Sequence, residues 1–193
     1  MKVVFASHNA HKRAEVQAIM AQVWPELELV APRGVAPEED GETFVDNALI
    51  KARTAHQAMG LPAIADDSGI CVDALGGAPG VVSARYHPSG DDGENLRLLL
   101  QNLGDNPNRQ AAFVCAAVLV DHSGEHVVER HWQGTIASEP HGDGGFGYDP
   151  IFIPDSLNHT AAQLPASEKN RVSHRGQAFR ALAEDLREHY RDR

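Results

Sequence analysis

Lys2-Val3-Val4-Phe5-Ala6-Ser7-His8-Asn9-Ala10-His11-Lys12 is the stretch whose reading decides the class of fold. Residues 3–6 form a continuous apolar run too short for a helix, so Lys2 to Ala6 reads as a short buried strand. Ser7 to His11 is polar and reads as a loop. From Lys12 to Val23, Val16, Ile19, Met20 and Val23 recur on one face at helical spacing. A strand, a loop and a helix in that order is the elementary unit of an α/β sheet.

Further elements extend this unit along the chain. Glu42 to Met59 keeps helical period through Phe44, Val45, Ala48, Leu49, Ala52 and Ala55, and Gly60 followed by Pro62 stops it. Ala63 to Ala65 and Ile70 to Leu75 read as two strands, and Glu94 to Leu103 as a helix. Ala111 to Asp121 and Glu125 to Gln133, parted by His122-Ser123-Gly124, read as a long antiparallel hairpin, with Gly134 to Ser138 continuing it. Ile151 to Ile153 is a last short strand, and Arg175 to Tyr190 a helix carrying Ala178, Phe179, Leu182, Leu186 and Tyr190 on one face. The expected fold is α/β, a mixed β-sheet with flanking helices. There is no internal repeat and no clean domain boundary.

Composition narrows the function. Among 193 residues, 17 Lys and Arg stand against 27 Asp and Glu, for a formal charge of −10. That charge repels nucleic-acid backbones and anionic membranes, so a phosphate-bearing ligand requires a local cluster of cations. Apolar residues make up 42% and no run reaches the roughly 20 residues of a membrane span. The opening Val3-Val4-Phe5-Ala6 is too short for a signal peptide, and a cytoplasmic location is expected. Cys71 and Cys115 lie among apolar neighbours without CxxC spacing, as expected for buried thiols rather than a disulfide or zinc site.

Four segments and one further lysine are candidates for chemistry. Asp66-Asp67-Ser68 stands where the first of the two strands ends; adjacent carboxylates on an extended chain point to opposite sides and can take two different roles, while turn formation is the plainer alternative. Ser7 to Lys12 offers hydroxyl, amide and helix N-terminal donors followed by a cation, suited to phosphate oxygens or simply to helix capping. Lys51, four residues after Asn47, borders the apolar stripe of its helix. In Gly142-Asp143-Gly144-Gly145-Phe146-Gly147-Tyr148-Asp149-Pro150, four glycines let backbone approach a ligand and aromatic rings offer a face to a planar base. Glu168 to Arg175 gathers Lys169, Arg171, His174 and Arg175 ahead of the last helix, either as a cationic site or as a solvated charge run.

These segments, in this order, resemble the inosine/xanthosine triphosphate pyrophosphatase family. The resemblance runs through Ala6-Ser7-His8-Asn9 to Lys12, Glu42-Thr43-Phe44 with Asn47-Ala48 and Lys51-Ala52, Ala65 to Gly69, Ala74 to Gly80 with Ser83 to Tyr86, Gly144 to Pro150, and Ser173-His174-Arg175. It implies Mg²⁺-dependent hydrolysis of ITP, dITP and XTP to the monophosphate and pyrophosphate. It also implies one domain over residues 1–193, an elongated fold of two lobes around a central nucleotide cleft, and a homodimer. By matching motif, Ser7, His8, Asn9, Ala10, His11 and Lys12 would hold phosphates with Lys51. Glu39 and Asp67 would hold the metal with Asp66 nearby, and Asp67 would also accept the proton. Ser68 would touch the nucleotide, Phe146, Gly147, Tyr148 and Asp149 would frame the base, and Lys169, His174 and Arg175 would complete the pocket. Ser7-His8 stands where Thr-Gly is frequent in the family, and Glu38 and Glu42 lie close enough to compete with Glu39. A nucleotide-binding regulator, a pyrophosphatase with another base preference and a structural α/β module are the competing readings.

Overall fold

The first apolar run forms β1 (Lys2–Phe5), whose last three residues are buried. It lies parallel to β2 (Glu28–Val30), pairing Val3 with Leu29, and parallel to β3 (Ala63–Val72), pairing Val4 with Ala63. β4 (Gln110–Asp121) and β5 (Gly124–Ile136) follow, and β6 (Phe152–Pro154) runs antiparallel to β5 with Thr135 opposite Ile153. The six strands make one mixed sheet in the order β2-β1-β3-β4-β5-β6. Its helices are α1 (Ala10–Val23), α2 (Phe44–Met59), α3 (Asp92–Leu103), α4 (Ala166–Val172) and α5 (His174–His189). This computed structural model describes residues 1–190.

The expected α/β fold is therefore present, with one correction at its centre. Ala63–Ala65 and Ile70–Leu75 are not two strands flanking a turn; a single ten-residue strand, β3, runs through Asp66, Asp67, Ser68 and Gly69. Carboxylates normally end a buried strand because burying a charge is costly. Here cations meet both, and the chain stays extended. α2 begins at Phe44 rather than Glu42, where Thr43 and Asp46 form a reciprocal capping box, and Gly60 closes it in the left-handed conformation at φ 63°.

The chain forms two compact units. One holds Met1–Asp67, Cys115–Arg130 and the chain from Asn170 onward; the other holds Ser68–Val114 and His131–Lys169. In the first, Val3 and Phe5 of β1, Ile19 and Met20 of α1, Ile64 of β3, Leu119 of β4 and Phe179 and Leu182 of α5 share one core. Each such side chain contributes about 1.5–3 kcal/mol on burial. Phe5 and Phe179 meet edge to face at 5.9 Å, which seats α5 over β1. In the second unit, Phe152 packs against Phe113 at 4.7 Å and Trp132 at 5.3 Å. Gly134 sits against this cluster: a Cβ there would fall 2.3 Å from the Ile153 carbonyl. Neither cysteine forms a disulfide; Cys115 is buried and Cys71 half-buried.

Candidate active site

Because β3 continues through the acidic pair, Asp66 and Asp67 leave it in opposite directions. Asp66 Oδ2 lies 3.3 Å from Lys12 Nζ of α1 and 3.3 Å from Arg175 Nε of α5. Arg175 Nη1 also donates to Glu15 Oε2 at 2.6 Å. This side is a cluster of alternating charge, with the Asp66 side chain 0% and the Arg175 side chain 3% exposed and Lys12 and Glu15 at its rim, 14% and 15% exposed. Asp67 faces α2 instead. Its Oδ1 is 3.5 Å from Lys51 Nζ, its Oδ2 accepts from Asn47 Nδ2 at 3.2 Å, and Lys51 Nζ reaches Glu39 Oε2 at 3.1 Å.

Two neighbouring carboxylates thus acquire different protonation behaviour. Burial pushes Asp66 up, but Lys12 and Arg175 overcome it and hold the carboxyl well below the usual range. Burial pushes Asp67 up, and Lys51 and Lys12 only partly offset it. Lys51 loses hydration on burial, yet Asp67, Asp66 and Glu39 around it raise its affinity for the proton. Asp66 is accordingly a fixed anion, whereas Asp67 is the carboxylate more ready to take up a proton.

The loop ahead of α1 is organised by its own polar residues. Asn9 caps the helix by accepting from the Lys12 N–H at 3.1 Å, and Ser7 Oγ accepts from the Asn9 N–H at 3.3 Å. The first turn of α1 carries no acidic residue, so no side chain of that turn competes with an incoming anion for the positive end of the helix dipole. Lys12 has three donors, and Asp66 is the ion-pair partner of its ammonium. His8, Ala10 and His11 are exposed around the same turn.

In the second unit, the glycine-rich segment is pinned by Asp149. Its Oδ2 accepts from the Phe146 N–H at 2.8 Å and from Lys169 Nζ at 2.5 Å, and Lys169 stands 5.0 Å from the Phe146 ring centroid, within cation–π range. Gly145 is required here: at φ 70° a Cβ would fall 2.0 Å from Asp149 Oδ2. Tyr148 is buried and donates its hydroxyl to the Ser83 carbonyl at 2.8 Å; burial pushes its phenol up, which keeps that donor. Gly147 N–H is held by Asp92 Oδ2 at 2.9 Å. Tyr148, Asp149 and Lys169 therefore shape the loop, and Phe146 and Gly147 are what it presents.

The segment from Glu168 to Arg175 is no solvated charge run. Lys169, Asn170, Ser173, His174 and Arg175 are all buried, because the chain breaks there between α4 and α5. Ser173 caps α5 through the Gly176 N–H at 3.1 Å, and a Cβ on Gly176 would fall 1.9 Å from the Asn170 carbonyl. Lys169 belongs to the second unit and His174 and Arg175 to the first, while Ser68 is half-buried on β3. Sequence reasoning passed over Glu15, Asn47, Ser83 and Asp92 as site residues. Helical spacing could have found the first two, since Glu15 lies one turn from Lys12 and Asn47 one turn from Lys51; nothing local marks Ser83 or Asp92.

Among the described residues, no group of three or more His, Cys, Asp and Glu side chains is disposed to hold a metal ion unaided. The donor set nevertheless suits Mg²⁺, which binds hard oxygens through one or two carboxylates and takes its remaining ligands from water and phosphates. Glu39 and Asp67 are such a pair. Asp66, occupied by two cations, is a poorer donor.

A parallel strand–loop–helix beside a lysine-and-carboxylate centre places this chain among α/β proteins that gather buried charge at the start of one helix and the middle of one strand. The chain belongs to the Ham1 family, whose model matches residues 3–185. It is 51% identical to a dITP/XTP pyrophosphatase of Leifsonia xyli, over 97% of this chain and 96% of that one. It is likewise 51% identical to one of Mycobacterium tuberculosis, over 96% and 95%. A solved HAM1 protein from Coxiella burnetii superposes with a TM-score of 0.87 at 41% identity, covering 97% of this chain and 99% of that one.

Proposed function

We propose that the chain hydrolyses non-canonical purine nucleoside triphosphates, dITP, ITP and XTP, to the monophosphate and pyrophosphate. The observation that carries this reading is the division of labour on β3, where Asp66 is locked as an anion and Asp67 shares Lys51 with Glu39. The names of the close relatives point the same way.

In this reading the first unit handles the phosphates. The α1 N-terminus and Lys12 receive phosphate oxygens, and Lys51 adds a second fixed cation, which is how a chain of charge −10 accommodates a polyanion. Glu39 and Asp67 would hold Mg²⁺, which when bound neutralises and polarises phosphate oxygens. Asp67, with its raised proton affinity, accepts a proton from the attacking water. Arg175 and Glu15 keep Asp66 and Lys12 in place. The second unit handles the base, with the Phe146 ring and the Gly147 backbone as its contact surface. Donors aimed at a 6-oxo group would meet donors on adenine, and such a mismatch rejects a ligand by orders of magnitude.

The test is pyrophosphate release from dITP, XTP, ITP, GTP and ATP with magnesium. The reading requires the first three to exceed ATP by at least about a hundredfold in kcat/KM; equal rates on ATP would refute the base preference. A homodimer and a cytoplasmic location belong to the same proposal, and a sizing column checks the first. No helix among the described residues is long and apolar enough to cross a membrane.

A further inference from the structure

We propose that Asn47 is the positioning residue of this site: one carboxamide fixes both the segment that carries Glu39 and the plane of the Asp67 carboxylate. The inference rests on the pyrophosphatase reading above. Asn47 lies in the first turns of α2 and is 0% exposed. Its Oδ1 accepts from the Gly41 N–H at 2.8 Å, two residues beyond Glu39, and its Nδ2 donates to Asp67 Oδ2 at 3.2 Å. The two partners are of opposite polarity, so only one orientation of the amide satisfies both.

The contact with the Glu39 segment is close. A Cβ on Gly41 would fall 2.7 Å from Asn47 Oδ1 and 2.6 Å from Asp46 Cβ, so that backbone lies flat against the helix start. Lys51 follows Asn47 by one helical turn and takes the other Asp67 oxygen, Oδ1, at 3.5 Å, together with Glu39 Oε2 at 3.1 Å. α2 thus offers Asp67 two donors, one per oxygen. The Lys51 donor supplies charge; the Asn47 donor supplies orientation and ties that orientation to the loop bearing the second carboxylate. Aspartate at this position would keep the acceptor for Gly41 and set an anionic oxygen against Asp67. Alanine would remove both bonds. Asn47 touches no reacting atom in this scheme and acts through Asp67 and Glu39.

The test compares Asn47→Asp, Asn47→Ala and Thr43→Ala, the last removing the capping box of the same helix. Steady-state pyrophosphate release from dITP is measured well below each melting temperature. Both Asn47 variants are expected to lose about a hundredfold in kcat with KM within about threefold, as misplacement of a reacting group by about 1 Å can do. Thr43→Ala is expected to lower the melting temperature while keeping kcat within about twofold. Melting of Asn47→Asp combined with Asp67→Asn, which restores a donor facing an acceptor, is expected to recover at least half of the stability lost by Asn47→Asp alone. An Asn47→Ala enzyme with kcat within threefold of wild type overturns the proposal, as does a Thr43→Ala enzyme that loses kcat equally, or a double variant that recovers nothing. Should Asn47→Asp not fold, Asn47→Ala against Thr43→Ala decides. A wild-type protein inactive on dITP would instead refute the pyrophosphatase reading, and the melting comparison would still report on the contact.

Discussion

Replacing Asp66 by Asn removes one charge and almost no volume, and its cost follows from the surroundings. The Asp66 carboxylate is 0% exposed and lies 3.3 Å from both Lys12 Nζ and Arg175 Nε. At that distance each attraction amounts to about 5 kcal/mol at an effective dielectric near 20, before the cost of dehydrating the ions. Glu15 retains part of the compensation for Arg175 at 2.6 Å, but Lys12 loses the only ion-pair partner this structure gives it among the described residues. Breaking a buried pair in this way costs about 3–5 kcal/mol. For a chain of 193 residues, each kcal/mol lowers the melting temperature by about 2–4 °C, so Asp66→Asn is expected to melt about 6–20 °C below wild type. Asp67→Asn, whose lysine keeps Glu39, is expected to melt within about 4 °C of wild type while losing turnover. Thermal unfolding followed by circular dichroism measures both. An Asp66→Asn protein melting within 2 °C of wild type, or an Asp67→Asn protein destabilised as much as Asp66→Asn, would refute the assignment of one carboxylate to structure and the other to chemistry.

Acid should act through the same group. Because the folded chain holds Asp66 below the ordinary carboxylate range, the unfolded chain takes up that proton first; the stability that Asp66 contributes is present above about pH 4 and is lost as the pH drops further. Urea midpoints should show this, with a shallower dependence in Asp66→Asn. Lys12→Ala should raise KM for dITP chiefly and leave kcat closer to wild type, and an unchanged KM would remove Lys12 from phosphate binding. Gly145→Ala, which forces a Cβ onto Asp149 Oδ2, should weaken the preference for dITP over ATP; an unaltered ratio would separate that loop from base recognition. Chelation with excess EDTA should abolish turnover, and magnesium should restore it.

What was legible in the sequence was whatever depends on local period. Val16, Ile19 and Met20 marked α1, the long apolar run from Ala111 marked β4, and the spacing of Phe179, Leu182 and Leu186 marked α5. The misreading of β3 arose at a charged pair, since the compensation that lets Asp66 stay in a buried strand comes from Lys12 and Arg175, 54 and 109 residues away along the chain. The same holds for the segment before α5, whose charges fit a cationic site and a solvated run equally until their partners are known. Alternation along an extended chain did anticipate that Asp66 and Asp67 would face different environments. It could not say which of them would be locked. Asp92, whose carboxylate accepts from the Gly147 N–H, and Ser83, whose carbonyl accepts from the Tyr148 hydroxyl, left no local trace at all.

The bond that is broken tests the central claim most directly. Turnover of dITP in the presence of magnesium, followed by phosphorus NMR, is predicted to yield pyrophosphate and the nucleoside monophosphate in equal amounts, with Asp67→Asn yielding neither. Release of orthophosphate with formation of the diphosphate, or undiminished turnover by Asp67→Asn, would contradict it.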